Sequence, residues 1–176
     1  MAEGAQGSQN CSTRTGTVPP PGGALRALAI FISTGAFAGY TPLAPGTAGS
    51  ILGLLLVRFA IASVWRYSPT GFLMLFAVVF VIACMVADHA ERIFAEVDSS
   101  AIVLDEILGM IATMFANPTG WTWLIGGFVL FRLFDIIKPW PASRFDRMRG
   151  GAGVMLDDLA AAFYANVTLQ VLRRAI

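Results

Sequence analysis

Charge is scarce in this chain, and that scarcity decides its class. Asp, Glu, Lys and Arg make up 13% of 176 residues, where soluble domains carry roughly 25%. Hydrophobic residues fill 56% of the chain and mean hydropathy is +0.70. Runs without charge, such as 71–87 and 107–131, point to a membrane protein. The net charge of +1 leaves no basic footprint for nucleic acid. Histidine is reduced to His89, which excludes any mechanism that needs two, including a two-histidine phosphohistidine route. The cysteines differ in setting, Cys11 in a polar tail and Cys84 in an apolar run, so no disulfide framework or metal pair is implied. No arginine follows Cys84 at the spacing of a phosphate-cradling cysteine loop, and no Asp-x-Asp pair follows a strand.

What is present is helical. The length suits one domain over 24–176. Residues 1–23 hold Gly, Ser, Thr, Pro and Gln with almost no large apolar side chain, which predicts a disordered tail. The first apolar segment, 24–39, contains Ala36-Phe37-Ala38, a sequence like a signal-peptide cleavage site. Its short apolar core, and the motif directly after it, favour a retained helix. Tyr40-Thr-Pro-Leu-Ala-Pro-Gly-Thr-Ala-Gly-Ser50 carries two prolines and two glycines, so no regular structure is expected across it. Thr47 or Ser50 is expected to cap a helix starting near Ile51. A glycine-rich turn feeding a helix N-terminus offers backbone N–H groups that suit a phosphate.

Segments 51–65 and 71–87 flank Ser68-Pro-Thr-Gly71 and read as one helical hairpin. Residues 88–101 are polar, mixed in sign and read as solvated or interfacial, His89 among them. Segments 102–117 and 121–138 flank Asn117-Pro-Thr-Gly120 and read as a second hairpin, with Trp121 and Trp123 placed as interfacial aromatics. One kinked span over 107–131 is the alternative. A polar connection over 139–151 leads to a last helix near 153–172. Phe72, Phe76 and Phe80, at helical spacing, read as core or lipid-facing filler. The expected fold is therefore all-α: an integral membrane bundle of two helical hairpins plus N-terminal and C-terminal helices.

Two hairpins impose a parity. Loop 40–50, Asp105-Glu106 and the stretch from Lys138 to Asp157-Asp158 fall at one face of the membrane. Turns 66–70 and 117–120 and the C-terminus fall at the other. Ionisable groups in apolar helices cost a few kcal/mol near the bilayer centre and less at its edge, so those retained are functional candidates. Asp105, Glu106, Asp135, Asp157 and Asp158 offer hard oxygen ligands without His or Cys, which favours Mg²⁺ over Zn²⁺. Arg132 and Lys138 suit phosphate oxygens, the first as a planar fork and the second as a point charge. Asp135, three residues from Arg132, reads equally as its ion-pair partner. Arg144, Arg147 and Arg149 read as a basic rim facing lipid head groups. Lys138, Arg92 and this rim slightly outnumber Arg26, Arg66, Arg173 and Arg174 at the opposite face, a small vote for a cytoplasmic site. This constellation favours metal-assisted attack of water on a phosphoryl group, with a phospho-aspartyl intermediate still open.

Three blocks resemble the phosphatidylglycerophosphatase A family of bacterial membrane lipid phosphatases. They are Pro42-Leu-Ala-Pro-Gly-Thr-Ala-Gly-Ser50, Ile102-Val-Leu-Asp-Glu-Ile-Leu-Gly109, and Phe131-Arg-Leu-Phe-Asp-Ile-Ile-Lys-Pro-Trp-Pro141 with its continuation to Asp158. The chain departs from the family pattern after Asp98, where Ser99-Ser100-Ala101 replaces a His-Pro type pair. The resemblance implies Mg²⁺-dependent hydrolysis of phosphatidylglycerophosphate to phosphatidylglycerol by a multi-pass protein of the bacterial inner membrane. It implies catalytic work for Asp105, Glu106, Asp158 and Lys138, and metal ligation by Asp105, Glu106, Asp135, Asp157 and Asp158. Phosphate binding falls to Gly46, Thr47, Ser50, Arg132 and Lys138, and the partner is a phospholipid in the bilayer. The alternatives are a CDP-alcohol-type phosphatidyl transferase, whose Asp-Gly-x-x-Ala-Arg spacing is missing, and a small ion or solute carrier, whose charges should line the midplane.

Overall fold

The computed structural model describes residues 23–42, 44–94, 101–145, 147–148 and 151–175. The expected tail before Gly23, and Asp98, Asp146 and Arg149, lie outside the described residues. Within them all regular structure is helical. In chain order it comprises α1 (Gly23–Ser33), a 3-10 turn (Ala38–Tyr40), α2 (Pro45–Leu56), a π turn (Val57–Ile61), α3 (Ala62–Tyr67), α4 (Pro69–Phe94), α5 (Leu104–Met114), α6 (Trp121–Ile137), α7 (Ala142–Phe145) and α8 (Gly151–Ala175).

Both hairpins are present, but their Pro-Thr-Gly sequences work differently. Ser68 alone separates α3 from α4. Its Oγ accepts the Gly71 N–H at 3.1 Å, and Pro69 opens the helix. The first Pro-Thr-Gly is thus the opening turn of α4, where proline is favoured. At the second, α5 stops at Met114 and α6 starts at Trp121, which rules out a single span over 107–131. Asn166 of α8 closes the end of α5, its Nδ2 donating to the carbonyls of Ala112, Thr113 and Phe115 at 3.2, 2.9 and 2.8 Å. A helix C-terminus leaves such carbonyls without intrahelical donors.

The turns and the site segments lie at opposite ends of the helices. Arg66 donates to Thr119 Oγ1 at 2.9 Å and Arg173 to the Ala116 carbonyl at 3.1 Å. Both turns and the end of α8 therefore lie together. At the opposite end, the Val103 N–H donates to Ser33 O at 3.0 Å and Lys138 pairs with Asp157.

The 40–50 stretch differs from expectation. α2 starts at Pro45, not near Ile51, and its N-cap is Ala44, which makes no side-chain capping bond. Thr47 and Ser50 lie inside the helix. Two prolines in a short stretch read as breakers, yet a proline at the first helical position loses no hydrogen bond and starts with a suitable φ. In the 88–101 stretch α4 stays helical to Phe94, with Arg92 exposed, and residues 95–100 lie outside the described residues.

α5 sits at the centre, packed by α2, α4, α6 and α8, with most of its residues buried. α2 approaches closely because it presents glycine to α5. A Cβ at Gly53 would come within 2.8 Å of Ile107 O and 2.9 Å of Met110 Cβ. Two stretches, Pro45–Tyr67 and Pro69–Phe94, are long and apolar enough to cross a membrane. Only 17% of the most apolar window of α4 is buried, and Leu73, Met74, Val78, Val81, Ile82 and Met85 face outward. α5, with 11 residues, is only about 16 Å long against a bilayer core of about 30 Å.

Candidate active site

The site forms where α5 begins. Asp105 and Glu106 occupy its first turn and Asp158 faces them from the second turn of α8. One oxygen from each of the three carboxylates lies within 4.8 Å of the others. Asp105 and Asp158 are 8% and 5% exposed. Asp105 Oδ1, Glu106 Oε2 and Asp158 Oδ2 are buried and have no hydrogen-bond partner. At that spacing each ionised pair repels by roughly 3–4 kcal/mol at an effective dielectric of about 20. Buried oxygens without a protein partner are ones that a bound cation would satisfy. The donor set is all carboxylate, which fits a hard divalent cation such as Mg²⁺.

Two helices, α6 and α2, bring other groups to the rim. Arg132 of α6 pairs with Asp135 at 3.0 Å, and its guanidinium also acts electrostatically on Glu106. The first turn of α2 comes up against both. A Cβ at Gly46 would overlap the Glu106 carboxylate and sit 3.4 Å from Arg132 Nη1, so a larger residue there requires that carboxylate to move. The Ala48 N–H is bonded to Ala44 O. The N–H groups of Gly46 and Thr47 precede it in the first turn, where no intrahelical acceptor exists.

The sequence-predicted residues thus separate into groups. Asp105, Glu106 and Asp158 converge, with Gly46 and Arg132 at their edge. Asp135 is engaged by Arg132 and lies near enough to Asp158 to act on its charge. Asp157 points elsewhere: its Oδ2 takes Lys138 Nζ at 2.6 Å, and its Oδ1 accepts the Asp158 N–H at 3.0 Å. Lys138 reaches that position from the end of α6, where its backbone is left-handed with φ 45°. Thr47 is half-buried on the first turn of α2. Ser50 is fully buried, and its hydroxyl donates to Gly46 O at 2.9 Å, which ties it to its own helix instead of to a ligand.

Met155, Asp158, Ala162, Ala165 and Leu169 form an inward stripe, all buried and recurring in steps of three and four. Burial at helical spacing does not separate the two adjacent aspartates, since Gly153, Asp157, Ala161 and Ala165 are buried in steps of four as well; the Lys138 pair is what separates them. Asn166, which holds the far end of α5, went unnoticed because a lone amide in an apolar helix has no motif around it.

The sequence profile of the phosphatidylglycerophosphatase A family matches residues 31–173. Phosphatidylglycerophosphatase A of Haemophilus influenzae is 35% identical over 132 residues, 72% of this chain and 77% of that protein. The Escherichia coli protein of the same name is 35% identical over 133 residues, 74% of each chain. A Bacteroides thetaiotaomicron protein, provisionally named phosphatidylinositol-3-phosphatase, is 35% identical over 159 residues, 85% of this chain and 96% of its own length. No solved structure matches.

Proposed function

We propose, starting from the fact that this chain belongs to the phosphatidylglycerophosphatase A family and is a phosphatase, that it removes the terminal phosphate of phosphatidylglycerophosphate. In this reading Mg²⁺ is held by Asp105, Glu106 and Asp158. The observation that carries it is the trio of buried carboxylates with unmatched oxygens, all within 4.8 Å. When bound, such a cation polarises the phosphoryl group and makes an attacking water more acidic. Arg132 and the N–H groups of Gly46 and Thr47 orient and neutralise phosphate oxygens at the rim. Asp135 holds the Arg132 fork in place. Lys138, paired with Asp157, fixes the α6–α8 junction and adds a positive charge beside the site. The wall of α2, α5 and α8 keeps bulk water from the carboxylates.

The outward apolar face of α4 and the two long helices support a multi-pass membrane protein. The small surplus of Lys and Arg at the site end supports a site on the cytoplasmic side of the bacterial inner membrane. The test is inorganic phosphate release from phosphatidylglycerophosphate in detergent micelles, with EDTA and with Mg²⁺ restored. Folded protein that releases no phosphate in a metal-dependent way sinks the proposal. The Bacteroides relative favours phosphatidylinositol 3-phosphate as a second substrate to run in parallel. Faster release from that lipid moves the substrate and leaves the chemistry.

A further inference from the structure

The outer side of α8 carries a stripe that the site does not use. Leu156, Leu159, Ala160, Phe163, Asn166 and Gln170 recur at helical spacing, rotated away from the inward stripe of Asp158. Two hollows lie along it. One, of about 440 Å³, is walled by Phe72 and Phe76 of α4 and by Phe115. The other, of about 300 Å³, is walled by Pro141 and Phe145. Leu159 and Phe163 border both hollows.

Among the described residues no Asp, Glu, Lys or Arg lines either hollow. Asn166 and Gln170, the polar residues at the far end, are bonded to each other at 2.8 Å, and Arg173 and Arg174 follow one turn beyond them. Cations stand at the end nearer the site as well. Exposed Arg144 sits between Pro141 and Phe145, and Lys138 lies three residues before Pro141, bonded to the neighbour of Leu156. Tyr164 holds this end down by donating to the Trp140 carbonyl at 2.6 Å. From Leu156 to Gln170 the stripe covers about 21 Å of helix, somewhat more than half of a roughly 30 Å bilayer core.

An uncharged, aromatic-walled trough of that length, with Lys138 and Arg144 at its site end, fits the hydrocarbon part of a lipid. We propose that these adjoining hollows seat the hydrocarbon chains of the lipid whose phosphate is cleaved, with Leu159 and Phe163 as the residues that set chain preference. This rests on the lipid-phosphatase reading above and extends it from the head group to the tail. Burying a chain here adds binding energy that a short-chain analogue lacks. The lipid is thereby drawn in laterally from the bilayer, and its phosphate is delivered at the end where Lys138 and Arg144 stand.

The test uses full-length enzyme and two substrates, dioleoyl and dihexanoyl phosphatidylglycerophosphate, the second kept below its micelle concentration. Ala160→Trp and Leu159→Trp each fill the trough without touching the carboxylates. Both variants are expected to raise KM for the long-chain lipid by about fivefold or more while KM for the short-chain lipid stays within about twofold. An equal change for both lipids, or none for either, overturns the inference. So does a variant that dissociates a dimer in detergent and leaves both KM values alone, because a second copy would then be what fills the trough. Wild-type enzyme that releases phosphate from neither lipid overturns the substrate reading itself. Wild-type release combined with chain-blind variants overturns the tail site alone.

Discussion

Where α5 begins, three carboxylates face one another with unmatched oxygens; where it stops, one asparagine amide donates to three carbonyls. Both ends are polar and both are buried. At the far end the unmatched atoms that remain are neutral, Thr113 Oγ1 and Asn117 Oδ1. At the near end they are carboxylate oxygens, and leaving those unpartnered in a low dielectric is far more costly. Among the described residues the far end is left with neutral unmatched atoms only. The near end is left with unmatched carboxylate oxygens, where the proposed cation would sit.

Replacing near-end carboxylates should break this contrast most sharply. Asp105→Asn or Asp158→Asn is expected to lower phosphate release by at least about 10³-fold, measured as kcat in micelles. The same variants should melt at the wild-type temperature or a few degrees above it in EDTA, because a repelling buried charge has gone. A melting point well below wild type would mean that the carboxylates stabilise the fold and the contrast is false. Gly46→Ala should come next. Its methyl group displaces the Glu106 carboxylate, and displacement of about 1 Å costs roughly 10²-fold in kcat/KM. Asp157→Asn, which weakens the Lys138 pair and the bond from the Asp158 N–H, should cost about tenfold to a hundredfold. Equal losses at Asp157 and Asp158 would erase the distinction between them. The smallest effect on activity belongs to the far end. Asn166→Ala should lower stability by about 1–3 kcal/mol, read from thermal or denaturant unfolding in detergent, with kcat within about twofold of wild type.

Much of the arrangement was legible in the sequence. The Pro-Thr-Gly repeats gave the two hairpins, and the hairpins gave the parity that put Asp105, Glu106 and Asp158 at one end. Pro45 was misread because proline breaks helices from within and starts them from the first position, and sequence alone does not say which. Composition could not show that Asp105, Glu106 and Asp158 converge while Asp135 and Asp157 pair with cations, because neighbours in a helix point about 100° apart and only packing decides which faces α5. The Arg132–Asp135 spacing was legible as a pair, and the pair is formed. Lys138 is a different case. Its partner Asp157 is nineteen residues away across a turn, a distance at which spacing carries no information.

The π turn at Val57–Ile61 has a consequence for how the Pro45–Tyr67 rod has to be understood. Its buried positions go Gly49, Gly53, Val57 in steps of four, then jump five to Ala62, then three to Trp65. One extra residue in a turn rotates everything after it by about 100°. Two stripes at different angles therefore share one helix. The first lies along α5 and sets the start of α2 against Glu106. The second packs Trp65 against Phe72 and Phe115. A single-period scan of the rod averages the two into a helix that looks apolar all round. The π turn works as a joint that lets one unbroken helix satisfy a catalytic neighbour at one end and an aromatic core at the other, each at its own angle.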